Sequence, residues 1–212
     1  MRLILFDLDG TLIDSETGIT ASIEYALEKV GAAVPPRAHL RAWIGPPLRA
    51  MFPSVLGNDV DAIERAVAFY RERFSDVGWS EHVVYPGIAD AIEALAARGT
   101  TLAIVTSKPD LYTGRIVENL PFGARFTRVY AAQAKTRDSE KATMIAQALT
   151  DFAMPPDQVA MVGDRHFDIE GAKANGVRAV GVTWGFGSRT ELESAGADVV
   201  ADAAGELVSA LA

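Results

Sequence analysis

Short, uniformly apolar runs alternate along this chain with longer stretches in which apolar residues recur every three or four positions. Leu3-Ile4-Leu5-Phe6 is such a run, and it leads straight into Asp7 and Asp9. A run that short and apolar predicts a strand buried on both faces of a parallel sheet. The helical spacing takes over in residues 17–30, where Ile19, Ile23, Ala26, Leu27 and Val30 share a side and Gly31 is the stop. Further helices are expected over 36–44, closed by Gly45-Pro46-Pro47, over 48–56 with an interruption at Pro53, and over 59–74. No good strand is read between Asp14 and about Val83. Residues 15–84 are therefore expected to form an inserted α-helical cap, with linkers near Asp14-Ser15 and Val84-Tyr85-Pro86-Gly87.

From Gly87 onward the two patterns alternate regularly. Helices are predicted over 88–98, 110–120, 140–152 and 168–174, with a short one at the end of the chain. Strands are predicted over 101–105, 128–131, 159–162, 178–182 and 198–200. Such alternation means βα units, so the expected fold is α/β: a doubly wound, largely parallel sheet formed by residues 1–14 and 85–212, with the cap inserted after its first strand.

Composition adds limits. A chain of 212 residues buries roughly 70% of its unfolded surface, so its core needs no disulfide or structural metal. With no cysteine, thiol chemistry is excluded. A formal charge of -8 argues against a nucleic-acid polymer as partner and for a small ligand. No apolar run reaches the roughly 18 residues of a membrane span. Met1-Arg2 runs directly into the first strand without a signal segment, and the expected compartment is the cytoplasm.

The chemistry gathers where strands end. Ligands of open α/β sheets bind beyond the carboxyl ends of the strands, and Asp7 and Asp9 stand there, two residues apart and able to approach one ligand. A plain Asp-Gly turn with Asp9 capping a helix is the alternative. The strand over 101–105 ends in Thr106-Ser107-Lys108, whose hydroxyls and amides can bind an anion or simply cap the next helix. The strand over 159–162 repeats the first design, with Gly163-Asp164 and then Asp168; a turn and a helix cap would also explain these two. Four carboxylates at neighbouring tips repel one another unless a cation sits among them. An all-oxygen set without His or Cys selects a hard ion, and Mg²⁺ suits it. Lys141, at a helix start, would neutralise bound phosphate and orient a nucleophile.

Asp7-Leu8-Asp9-Gly10-Thr11, Thr106, Lys141 and the segment from Gly163-Asp164 to Asp168 resemble, in order and spacing, the four motifs of haloacid dehalogenase-like hydrolases. Each is weak alone, but four in register after strands are a strong signal. The helical insertion resembles the subgroup with an α-helical cap, which includes phosphoglycolate phosphatases and 5'-nucleotidases. Gly171-Ala172, Asn175-Gly176 and Trp184-Gly185-Phe186-Gly187 look most like the phosphoglycolate phosphatase type.

That resemblance implies a phosphatase working through an aspartyl-phosphate. Asp7 is the expected nucleophile, and Asp9 the acid and base, helped by a pKa raised among neighbouring carboxylates. Asp7, the backbone carbonyl of Asp9, Asp164 and, in support, Asp168 are the expected Mg²⁺ ligands. Thr106, the Ser107 amide and Lys141 are expected to hold phosphate oxygens, with Gly10 admitting close approach. A second acid at Asp9 argues against dehalogenation, and Gly163-Asp164 differs from the Glu-Asp pair of sugar-phosphate mutases. Substrate choice is expected in the cap, where Arg49 would meet a carboxylate-bearing substrate such as 2-phosphoglycolate and Trp43 or Phe52 a nucleobase. Core packing is the plainer reading of Trp43. The expected partner is a small phosphorylated metabolite, and the expected assembly a monomer or homodimer. A 5'-nucleotidase is the alternative within the class, and a non-catalytic phosphate-sensing or partner-binding protein the alternative outside it.

Overall fold

The computed structural model describes residues 1–133 and 140–211. The chain divides into two compact units, Met1–Asp14 with Val84–Ala212, and Ser15–Val83. No helix among the described residues is long and apolar enough to cross a membrane.

Strand β1 (Leu3–Phe6) is fully buried at every position. A two-residue strand, β2 (Ile13–Asp14), follows the first turn and precedes the helical unit, which holds α1 (Glu16–Lys29), α2 (Arg37–Arg41), α3 (Leu48–Met51), α4 (Pro53–Leu56) and α5 (Val60–Asp76). Within this unit α1 presents Ile19, Ile23, Ala26 and Leu27 as buried residues and α5 presents Ile63, Val67 and Phe74. The two helices pack together, with Tyr25 edge-on to Phe69. Another short strand, β3 (Val83–Val84), closes the segment and pairs with β2.

Thereafter come α6 (Ile88–Ala97), β4 (Thr101–Pro109), α7 (Asp110–Asn119), β5 (Phe126–Ala132), α8 (Lys141–Phe152), β6 (Val159–Gly163), α9 (His166–Ala174), β7 (Arg178–Val182), α10 (Arg189–Ser194), β8 (Val199–Ala201) and α11 (Leu207–Ala210). The six-stranded sheet has the order β5-β4-β1-β6-β7-β8, and its pairings are parallel. Growth runs outward from β1 through β4 to β5, then restarts on the other side at β6. That reversal makes the gap between the ends of β1 and β6 the topological switch point, where such sheets bind ligands. The sheet is thus doubly wound and parallel, as its alternating pattern predicts.

One face of the sheet carries Leu3, Leu5, Ala103, Val105, Met161 and Ala179, packed against Met144, Ile145 and Ala148 of α8, Ile169 and Ala172 of α9, and Leu192 of α10. Each fully buried Leu or Ile there contributes roughly 1.5–3 kcal/mol, so the strand tips rest on a stiff base.

Several elements differ from the sequence reading. β2 and β3 form where no strand is expected; at two residues each they are too short to show a periodicity. The helix expected over 36–44 is only α2, and the one over 48–56 splits into α3 and α4, because Pro53 supplies no N–H and starts the new helix instead. β4 runs past Val105 to Pro109, α9 begins at His166 rather than Asp168, and β8 lies one residue later than expected. Helix α10 is additional, and Ser188 caps it by accepting from the Glu191 N–H at 3.1 Å. Ser188 followed by Glu191 is a capping-box spacing, which was legible in the residues.

Candidate active site

Asp7 follows β1 directly, and its N–H still donates to the Val162 carbonyl at 2.9 Å, continuing the ladder toward β6. Its carboxylate meets the Lys141 ammonium at 2.7 Å. Lys141 opens α8, is buried, and also meets Asp168 at 2.7 Å and donates to the Val105 carbonyl at 2.8 Å. Two ion pairs and the bond to the Val105 carbonyl thus hold the ammonium in place. Burial would lower the Lys141 pKa, but Asp168 and Asp7 outweigh it and hold the value above the ordinary one.

Asp164, at the tip of β6, is gripped from two loops. Thr11 donates its hydroxyl to one carboxylate oxygen at 3.2 Å, and the Phe186 N–H donates to the other at 2.7 Å. Trp184 ties these loops together by donating its indole N–H to the Thr11 carbonyl at 3.1 Å. The packing leaves no room for side chains on two neighbours. Gly10 has φ +85, and a Cβ on it would overlap the Asp164 carboxylate; a Cβ on Gly185 would overlap the Gly10 carbonyl and Asp164. Glycine is required at Gly10 on both counts. Asp168 accepts from the Arg165 N–H at 3.1 Å and so caps α9 while facing Lys141.

Asp7, Asp164 and Asp168 each offer a buried carboxylate oxygen, and these atoms lie within 4.8 Å of one another. Without a cation this is a costly arrangement. Burial raises the Asp7 carboxyl, Lys141 pulls it down, Asp168 and Asp9 push it up again, and the outcome is about 6. Asp164 is raised well above the ordinary range, by burial first and then by Asp168 and Asp7. A divalent cation fits the site on two grounds. Counting Asp9, four carboxylates face the two ammonium groups of Lys108 and Lys141, which leaves two negative charges over. The donors are all hard oxygens.

A pH dependence follows. A carboxyl whose folded value lies near 6, above its ordinary 3.8, binds more protons folded than unfolded between those limits. Metal-free stability therefore falls as pH rises through that window. In the presence of chelator, the wild-type Tm is expected to drop more steeply between about pH 4 and 6 than that of D7N, and saturating Mg²⁺ is expected to remove the difference. Parallel curves for the two chelated proteins would show that Asp7 titrates in the ordinary range.

Asp9 does not join this cluster. Its carboxylate receives both bonds from the Lys108 ammonium, at 2.9 and 3.0 Å. Asp9 is thus close enough to Asp7 to raise it, as a neighbouring carboxylate was expected to be, and has an ammonium beside it as well, because β4 extends far enough to carry Lys108 there. Thr106 is buried, with its hydroxyl accepting from the Lys108 N–H at 3.2 Å, and Ser107 is exposed. Neither caps α7, whose N-cap is Pro109. Arg49 belongs to the helical unit, where Glu64 takes its guanidinium through two bonds of 2.5 and 2.8 Å. Trp43 packs edge-on against Phe52 in that unit, in accord with its plainer reading.

The residues that sequence reasoning missed are mostly holders. Lys108 had a signal, since alternation along a strand puts it on the side of Thr106. Glu191 accepts from the Arg165 guanidinium at 2.9 Å and from the His166 N–H at 2.9 Å, and its carboxylate lies 2.8 Å from the imidazole. Burial pushes Glu191 up, but those partners outweigh it and bring the carboxyl down to about 2. The loop between Asp164 and α9 is clasped from α10 by this charge. Thr11, Trp184 and Phe186 act through contacts 153 to 173 residues apart or through a backbone N–H, which no local pattern announces.

Fold and site define an α/β protein with an acidic, cation-fitting centre at its switch point. A family model for haloacid dehalogenase-like hydrolases matches residues 4–182. A 5'-nucleotidase from Pseudomonas aeruginosa is 40% identical, across 90% of this chain and 86% of its own length. A phosphoglycolate phosphatase from Pseudomonas putida is 26% identical, across 95% of this chain and 76% of its own. Among solved structures, a haloacid dehalogenase-like family hydrolase from Streptococcus pneumoniae has a TM-score of 0.93 and 31% identity, covering 100% of this chain and 99% of that one. The chain belongs to the haloacid dehalogenase-like hydrolases.

Proposed function

We propose that this hydrolase is a Mg²⁺-dependent phosphomonoesterase acting on a small metabolite through an aspartyl-phosphate. The observation that carries the reading is the Asp7 carboxylate, buried at the switch point, bonded to Lys141 and within reach of Asp164 and Asp168. Asp7 attacks phosphorus while the ester bond to the leaving oxygen breaks, and Asp9 gives that oxygen its proton. Water, deprotonated by Asp9, then attacks the aspartyl-phosphate, releasing inorganic phosphate and restoring Asp7. Lys141, the Thr106 hydroxyl and the Ser107 amide hold phosphate oxygens in line, and Gly10 lets the backbone come close. The carboxylates of Asp7, Asp164 and Asp168 with the Asp9 carbonyl would hold Mg²⁺, which supplies charge neutralisation between an anionic nucleophile and an anionic substrate. The inserted unit acts as a cap that selects the substrate.

The phosphoglycolate phosphatase type is supported by the motif pattern and by the relative of that name. A second reading, a 5'-nucleotidase, is favoured by the 40% identical relative. It is also favoured by Glu64, which occupies the Arg49 cation that a carboxylate-bearing substrate would want. Phosphate release from 2-phosphoglycolate, nucleoside 5'-monophosphates and sugar phosphates, with Mg²⁺, decides between them. Preference for 2-phosphoglycolate supports the first reading and preference for nucleotides the second. Release from none of them, with Mg²⁺ still bound, would replace both by a non-catalytic phosphate-binding role.

A further inference from the structure

The site contains a second buried lysine that the reading above leaves without a task. Lys108 sits beyond the point where β4 was expected to end, in a part of the strand whose register is broken. Thr106 lies opposite Ala131 and Pro109 opposite Ala132, so Ser107 and Lys108 bulge out of the ladder. Bulges re-aim side chains, and here Thr106 and Lys108 turn inward while Ser107 is exposed. The backbone is held on both sides of the bulge: the Lys108 N–H donates to the Thr106 hydroxyl, and Thr113 donates its hydroxyl to the Lys108 carbonyl at 3.2 Å. Only 5% of the Lys108 side chain is exposed, and its ammonium bonds both oxygens of Asp9. An immobilised cation gripping both oxygens fixes where that carboxylate points. It also separates the two strand-tip acids: Asp7 takes Lys141 and the cation cluster, and Asp9 takes Lys108 and stays outside it.

We propose that Lys108 is the positioning residue of Asp9, holding its carboxyl group clear of the cation cluster and aimed at the leaving oxygen. The inference rests on the reading of Asp9 as the acid that protonates the leaving group. In that step the P–O ester bond breaks as the Asp9 proton passes to the departing oxygen. Lys108 gains or loses no proton and acts through Asp9.

Leaving groups separate this role from the others a buried lysine can play. An alkoxide needs a proton to depart, whereas p-nitrophenolate departs nearly unaided, so the loss of a well-aimed acid harms alkyl phosphates far more. The measure is kcat/KM, which covers the steps through departure of the leaving group and leaves out later hydrolysis of the aspartyl-phosphate. The alkyl substrate is whichever metabolite the enzyme turns over, and p-nitrophenyl phosphate is the comparison. D9N is expected to lose roughly 100-fold more on the alkyl substrate than on the aryl one. K108M is expected to show the same bias at about tenfold, as for residues that orient a reacting group from behind. K108R, which keeps the charge and the donors, is expected to recover most of the alkyl rate; should K108M not fold, K108Q carries the same comparison. Equal losses on the two substrates in K108M, or no loss, overturn the proposal, equal loss marking Lys108 as a phosphate contact. If D9N itself shows no bias, the reading of Asp9 fails and the proposal goes with it. If D9N shows the bias and K108M does not, the proposal alone falls.

Discussion

Replacing Asp7 by Asn is expected to lower phosphatase turnover by at least roughly 10⁴-fold, the scale on which loss of a covalent nucleophile is felt. The amide is close in shape to the carboxylate but cannot attack phosphorus. The fold should survive, because Lys141 keeps Asp168 and the Val105 carbonyl as partners. Removing one charge from a cluster in which Asp7 and Asp164 repel each other should also raise the Tm of the metal-free protein near neutral pH. Steady-state turnover together with a melting curve checks both expectations. A D7N protein that melts like the wild type and still turns over at the wild-type rate would remove Asp7 as nucleophile.

Chelation is the other large effect. EDTA is expected to abolish phosphate release, and Mg²⁺ in excess to restore it. The reason is the charge left over when four acids face two lysines: an anionic substrate cannot be brought beside Asp7 without a cation to offset the repulsion. The same ion should raise Tm by mass action, by about 2.7 kcal/mol of added stability at a hundred times its Kd. That gain should shrink in D164N, which removes a charge from the cluster and leaves the Thr11 and Phe186 contacts a near-isosteric partner. Full activity in a chelator would rule the metal out, and an unchanged gain in D164N would place the ion elsewhere.

These expectations start from residues that were legible along the chain. Asp7, Asp164 and Asp168 stand at or just after the ends of short apolar runs, and parallel strands put such ends on one edge of the sheet. Lys141 was legible at the start of a helix, with an apolar spacing behind it. The helical insertion was legible because amphipathic spacing fills residues 17–30 and 59–74 and the stretch between them is punctuated by Gly and Pro. In each case the signal lies within a few residues, and burial alone dictates it.

What only the tertiary structure decided is which charge meets which. Asp7 and Asp9 look equivalent on paper, yet one faces the cation cluster and Lys141 while the other is taken by Lys108, 99 residues away. The alternation of Thr106, Ser107 and Lys108 gives the side on which Lys108 lies, but the register break in β4 beyond Thr106 and the acid that Lys108 meets there have no local signal. Arg49 had the right chemistry for a substrate carboxylate, and Glu64 met it first, from a helix one could predict but not orient. By itself the sequence determined the order of the sheet's six strands, most of the helices and the acids at the strand tips, because hydrophobic burial repeats with the geometry of the chain. Ion pairs carry no such repeat: they form wherever register, bulges and loop closure bring opposite charges together, and the folded protein alone determines that.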